Sequence, residues 1–223
     1  MNVVLSWSGG KDSSLALHEI MKTEANVKGL LTTITKDYDR ISIHGVRREL
    51  LRQQAMSLGL HLYEVSIPKD ASNEIYEKET ESVLLRLKKS DAISSVVFGD
   101  LFLQDIREYR EKLLGRLGLG CIFPIWRKDT KKLAYQFIQD GFRAIVCTID
   151  PKKLDKQFCG CEFDGSFLSE IPGTVDPCGE NGEFHTFVYD GPIFKDRLRF
   201  SIGEVVERNG FYFADILPVS EDS

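Results

Sequence analysis

The sequence predicts an α/β fold: a parallel five-stranded sheet with helices on both faces, followed by a smaller C-terminal α+β region. Three observations lead there. Short β-branched runs alternate with stretches of helical periodicity through the first half, the pattern of parallel strands joined by crossover helices. The first run ends in a glycine-rich turn that leads straight into a helical stretch. Between Asp150 and Pro192 glycines and prolines concentrate, and the segments that follow read as antiparallel strands.

Taken in order, Val3–Trp7 reads as a buried strand and Ser14–Lys22 as a helix, with Leu15, Leu17, His18 and Met21 near helical spacing. Val27–Ile34 is a second strand. Val46–Leu58 is helical through Leu50, Leu51, Gln54 and Leu58, with Gly59 where a helix would stop. His61–Ile67 is a third strand, ended by Pro68, and Asn73–Lys89 a long amphipathic helix. Ser95–Phe98 is a fourth strand closing at Gly99-Asp100, Asp105–Leu117 a helix, and Cys121–Pro124 a further short strand. Thr130–Gln139 is a helix and Phe142–Ile149 a strand. Phe184–Tyr189 and Gly203–Ile216 are late strands, the second folded into a hairpin at Asn209-Gly210. A domain boundary is expected near Pro124–Asp129, giving an N-terminal α/β domain over 1–125 and a C-terminal α+β domain over 126–223.

With 42% hydrophobic and 28% charged residues, the composition is that of an ordinary globular protein with a sizeable core. The formal charge of −5 argues against stable nucleic acid binding, which calls for a basic stripe. No apolar run approaches a membrane span, so no membrane partner is expected. The chain enters a strand pattern at once, without a signal peptide, and a cytoplasmic location is expected. Five sparse cysteines, an odd number, do not make a disulfide framework.

The chemistry begins at Ser8-Gly9-Gly10-Lys11-Asp12-Ser13-Ser14. Strand, glycine turn and helix in that order make an anion site, because turn amides and the unpaired amides of the helix start converge. Gly9 and Gly10 allow a phosphate close to the backbone, Lys11 adds positive charge, and Ser8, Ser13 and Ser14 add hydroxyls. It is not a Walker A loop: Leu5 stands where the first glycine belongs, and Asp12 follows the lysine. An acid inside a phosphate cradle calls for Mg2+ between Asp12 and the phosphate oxygens. Gly99-Asp100 lies at the same sheet edge, where Asp100 reads either as a second Mg2+ or ribose contact or as a turn and helix cap.

This loop resembles the signature of the PP-loop ATP pyrophosphatases, the adenine nucleotide α-hydrolase superfamily with its Rossmann-like, HUP-type domain. The resemblance implies that ATP is cut between the α- and β-phosphates, with the loop holding the departing pyrophosphate. The segment Asp176–Phe194, "DPCGENGEFHTFVYDGPIF", resembles that of the diphthine–ammonia ligase family, with Glu180, Glu183, His185 and Thr186 in matching places. That resemblance runs through most of the chain. It implies a ligase that uses ATP and Mg2+ to adenylate a carboxylate, protein-bound diphthine or a small acid, and then amidates it with ammonia. It also implies Glu183 and His185 as the proton-handling pair, Glu180 and Thr186 at the substrate, and, together with the apolar late hairpin, a homodimer.

Leu101–Arg110 departs from the serine and Tyr-Gln pair expected of archaeal and eukaryotic members, and His44-Gly45-Val46-Arg47 precedes the second helix. Both stretches resemble a bacterial branch, which would amidate another acid. Asp105, Arg107 and Arg110 read as an acceptor pocket or as a charged helix face, and His44 as a phosphate contact or a cap. Cys159, Cys161 and Cys178 lack the Cys-x-x-Cys spacing of a zinc or cluster site. They leave open a tRNA-thiolating PP-loop enzyme as an alternative, beside a nucleotide-binding regulator without turnover or an amidase-like interaction module that binds no nucleotide.

Overall fold

The computed structural model describes residues 1–37, 40–41 and 45–219. The N-terminal sheet is built on β1 (Asn2–Ser6), which pairs in parallel with β2 (Asn26–Thr35) on one side and β5 (Ser95–Val97) on the other. β4 (His61–Ile67) extends the sheet beyond β2 and β6 (Gly120–Ile122) beyond β5, both in parallel. The five parallel strands therefore run β4-β2-β1-β5-β6. A two-residue strand, β3 (Arg40–Ile41), pairs antiparallel with the end of β2. Strand order reverses between β1 and β5, and in open α/β sheets ligands bind at that reversal, outside the carboxyl ends of the strands.

The helices are α1 (Lys11–Met21), α2 (Arg48–Leu58), α3 (Asn73–Ser90), α4 (Gln104–Arg116), α5 (Thr130–Gln139) and the short α6 (Gly165–Glu170). α1 starts three residues before the expected Ser14, so Lys11 and Asp12 belong to its first turn rather than to the loop. The Ser13 and Ser14 hydroxyls fold back onto the Gly10 carbonyl at 2.9 and 3.0 Å and hold that turn closed. α2 stops at Gly59 in the left-handed conformation, as the sequence suggested. None of the described helices is long and apolar enough to cross a membrane.

The C-terminal region is a four-stranded antiparallel sheet. It runs β8 (Phe184–Asp190), β7 (Arg143–Ile149), β10 (Phe211–Pro218) and β9 (Phe200–Arg208), with α5 and α6 alongside. The hairpin turn falls at Asn209-Gly210, both with positive φ, as a type I′ turn requires. Two cores flank the parallel sheet. On one face, Val4, Leu31, Val65, Leu84, Val96 and Leu114 pack beneath α3 and α4. The other core is continuous from Leu5, Leu17 and Leu51 through Phe137, Phe142, Phe187 and Val188, so the two sheets share one interior.

Candidate active site at the head of the first helix

The loop after β1 is gripped from several sides. Gly9 has φ +77°, and a Cβ there would meet Gln54 Oε1 at 2.8 Å. Fully buried Gln54 reaches over from α2, donating to Gly9 O at 3.0 Å and Val188 O at 2.6 Å and accepting from Trp7 Nε1 at 2.9 Å. Val188 N, on β8, donates to the same Gly9 carbonyl at 2.9 Å. Ser8 Oγ sits 3.2 Å from Ser13 Oγ and accepts from Gly10 N at 3.3 Å. From the β5 side, Gly99 comes so close that a Cβ would lie 2.7 Å from the Asp12 carbonyl.

Lys11 is buried. Its amide donates to Thr186 Oγ1 at 3.0 Å, and its ammonium donates to both Asp12 oxygens at 2.8 and 2.7 Å and to the Cys178 carbonyl. Burial works against the charge, but Asp12 and the acids around it hold the Lys11 pKa above its ordinary value. For Asp12 burial dominates and raises the carboxyl pKa against the pull of Lys11, with Asp176 and Asp100 adding to the rise.

The segment 176–183 forms a strap across this loop. Asp176 Oδ1 accepts from Cys178 N at 2.9 Å and Glu180 N at 3.2 Å. Glu183 Oε1 accepts from Asp176 N and Asn181 Nδ2, both at 3.1 Å, while its buried Oε2 has no hydrogen-bond partner among the described residues. Glu180 Oε1 accepts from Leu101 N at 2.8 Å and Phe102 N at 3.3 Å, joining the strap to the loop after β5. Burial pushes the Glu180 carboxyl up to about 7, against the lowering effect of those amides.

A cavity of about 870 Å³ opens over the loop. Ser8, Lys11, Asp12, Ser13, Gly99 and Asp100 line it from the sheet edge, Asp105 and Arg110 from α4, and Glu180, His185 and Thr186 from the strap and β8. Asp100 is held by Arg110: Nη2 donates to Oδ1 at 3.0 Å, and Nε approaches Oδ2 at 2.6 Å without hydrogen-bond alignment. Gly9, Gly10, Ser14, Arg107 and Glu183 do not line the cavity. Arg107 pairs with Glu111 at 2.8 Å and lies over the Phe123 and Trp126 rings, each at 4.8 Å. His44 lies outside the described residues.

A family model described as the diphthamide synthase N-terminal domain matches residues 1–121, and one described as its C-terminal domain matches residues 129–216. The chain belongs to the diphthamide synthase family. Among curated relatives, a protein named diphthine–ammonia ligase from Schizosaccharomyces pombe is 28% identical over 227 residues, 94% of this chain and 38% of the relative. Those of the same name from Danio rerio and Homo sapiens are each 27% identical, cover 97% of this chain, and are themselves covered over 92% and 89% of their length. The chain thus spans well under half of the fission-yeast relative and about nine tenths of the two vertebrate ones.

This family member has a second cavity arm that the sequence reading did not anticipate. It runs between the sheet and helices α3 and α4, past Leu31, Val65, Tyr76 and Tyr109. In it the hydroxyls of Thr32 and Thr80 are buried without a hydrogen-bond partner among the described residues. One signal was available: Thr80 occupies the buried stripe of α3, with Leu84 and Leu87 four and seven residues on, where an apolar residue is the rule.

The site fits a nucleotide. A buried ammonium stands at the helix start and lines the cavity, and two buried hydroxyls in it, those of Thr32 and Thr80, have no hydrogen-bond partner among the described residues. Among the described residues no group of three or more His, Cys, Asp or Glu is placed to hold a metal ion. Mg2+ needs only one or two carboxylates when phosphates and water complete its shell; the carboxylates at the sheet edge of the cavity are Asp12 and Asp100, each paired with a cation, Lys11 and Arg110. Cys159, Cys161 and Cys178 bond different carbonyls, those of Cys147, Gln157 and Thr130. Burial raises the pKa of all three, the opposite of what a reactive thiol requires.

Proposed function

We propose that this protein is an ATP-dependent ligase that joins a carboxylate to ammonia, releasing AMP and pyrophosphate. One observation carries the reading: buried Lys11 heads a helix beside a glycine turn at the strand-order reversal and shares one cavity with Glu180 and His185. The name borne by the relatives supports the amide-forming class, with diphthine as the first acceptor to test and a small carboxylic acid as the second. The five free cysteines fit a reducing, cytoplasmic setting.

A carboxylate resists attack by ammonia because its oxygen leaves poorly. Transfer of AMP to that oxygen supplies a good leaving group, and the bond between the α-phosphorus and the bridging oxygen of pyrophosphate breaks. Lys11, the Ser8 and Ser13 hydroxyls and the helix-start amides are the groups that would neutralise the charge building on pyrophosphate. Mg2+, when bound through Asp12 and Asp100, would add to that neutralisation. Thr32 and Thr80 would take up the polar edge of the base, and Arg110 and Asp105 would orient the acceptor. Proton handling falls to His185 and to one of the two strap glutamates.

The test is product analysis with ATP, Mg2+, ammonium and a diphthine-bearing acceptor protein or a fractionated metabolite extract. Formation of AMP and pyrophosphate, dependent on acceptor and lost in Lys11→Ala, is the expected result. Formation of ADP and phosphate would overturn the mechanism.

A further inference from the structure

Ammonia presents this site with a difficulty. Near neutral pH it is almost wholly ammonium, which has no lone pair to attack with. Some group in the cavity must draw in the cation and remove a proton. Glu183 does not line the cavity: its Oε1 ties Asp176 and Asn181 together, and its other oxygen is buried. Glu180 lines the cavity, and Leu101 N and Phe102 N fix its Oε1, leaving Oε2 without a partner among the described residues.

We propose that Glu180 is the catalytic residue that binds the incoming ammonium and takes its proton on Oε2. The inference rests on the amide-forming reading above. The surroundings favour a cation: Glu180 interacts with Asp12 and Lys11, its amide is held by Asp176, and Asp100, Arg110, Asp105 and His185 share its cavity. Four aspartates and one glutamate thus face two permanent cations and an imidazole. In the step, ammonium gives one proton to Glu180. The freed nitrogen lone pair attacks the carbonyl carbon of the acyl adenylate. The bond from that carbon to the phosphate oxygen breaks with its electron pair on AMP, and the second proton from nitrogen goes to solvent.

Hydroxylamine separates this role from a structural one, because it is largely uncharged at neutral pH and needs no base to free its lone pair. Glu180→Gln, Glu183→Gln and the unaltered chain are compared with ammonium and with hydroxylamine, using the acceptor that supports turnover. Amide and hydroxamate are read by mass, and ATP binding and melting are checked in parallel. For Glu180→Gln, turnover with ammonium should fall at least about 100-fold, within the usual range for loss of a general base. With hydroxylamine it should stay within a few-fold of the unaltered chain. Equal loss with both nucleophiles, or no loss with ammonium, would overturn the proposal. Glu183→Gln should affect both nucleophiles alike; a loss confined to ammonium there would transfer the role to Glu183 and refute it for Glu180. If the unaltered chain turns over neither nucleophile, the amide-forming reading itself fails, an outcome distinct from any pattern among the variants.

Discussion

Gly9 is the residue on which the phosphate loop turns. Alanine there would hold a left-handed backbone angle and push a methyl group against Gln54 Oε1. Gly9→Ala is therefore expected to cost about 1–3 kcal/mol in urea denaturation. Glu180 gives a second residue-scale expectation. Its carboxyl pKa lies at about 7 in the fold against an ordinary 4.5, so between those values the folded chain binds the extra proton. Its contribution to stability is full below about pH 4.5 and is lost as pH rises through about 7. Glu180→Gln should flatten the melting profile across that window; an unaltered slope would show that this carboxyl titrates ordinarily. At this scale the loop was legible because Ser8–Ser14 encodes its geometry locally: glycines to turn, a lysine, hydroxyls and a helix start. The distinct placements of Glu180 and Glu183 were not, since both lie in one short motif. Only the folded strap turns one into the cavity and ties the other to Asp176 and Asn181.

At the scale of elements, α2 and α3 carry buried polar groups with opposite consequences. Gln54 spends its amide on three partners that belong to β8 and the segment after β1. Gln54→Leu would strand the Trp7 indole N–H and the Val188 carbonyl, at a cost of about 2–4 kcal/mol. A melting loss well below that range would mean water replaces the amide. Thr80 has no partner among the described residues to strand. Thr80→Val should leave stability nearly unchanged yet weaken ATP binding about fivefold by calorimetry, the worth of about one hydrogen bond. Equal affinity would remove Thr80 from the nucleotide site. The main helices and strands were readable because apolar periodicity and caps announce them. β3 was not, because its two residues carry no period and form only by pairing with the end of β2. α6 was hidden in a turn-rich stretch, where its one strong signal is Asp164 accepting from Phe167 N at 2.9 Å.

Across the whole molecule, the two family models meet near residue 125, but the interior does not divide there. One core runs from Leu5 to Val188, and the loop that would hold pyrophosphate is closed by Val188 and Thr186 from the second sheet. Unfolding should therefore be a single transition by near- and far-ultraviolet circular dichroism. A fragment ending at residue 121 should lack fixed tertiary structure; a well-packed fragment that binds ATP would contradict this. The alternation of strands and helices announced the first sheet. The dependence of the site on the second sheet arises from contacts about 175 residues apart in the chain, as between Lys11 and Thr186, which no local pattern encodes. The third partner of the Lys11 ammonium is the main-chain carbonyl of Cys178, and a carbonyl is present whatever side chain follows it. Substitution at position 178 can reshape the packing but cannot delete that oxygen. Only displacement of the strap can free the lysine from it, so variation there should act by tilting a segment as a whole.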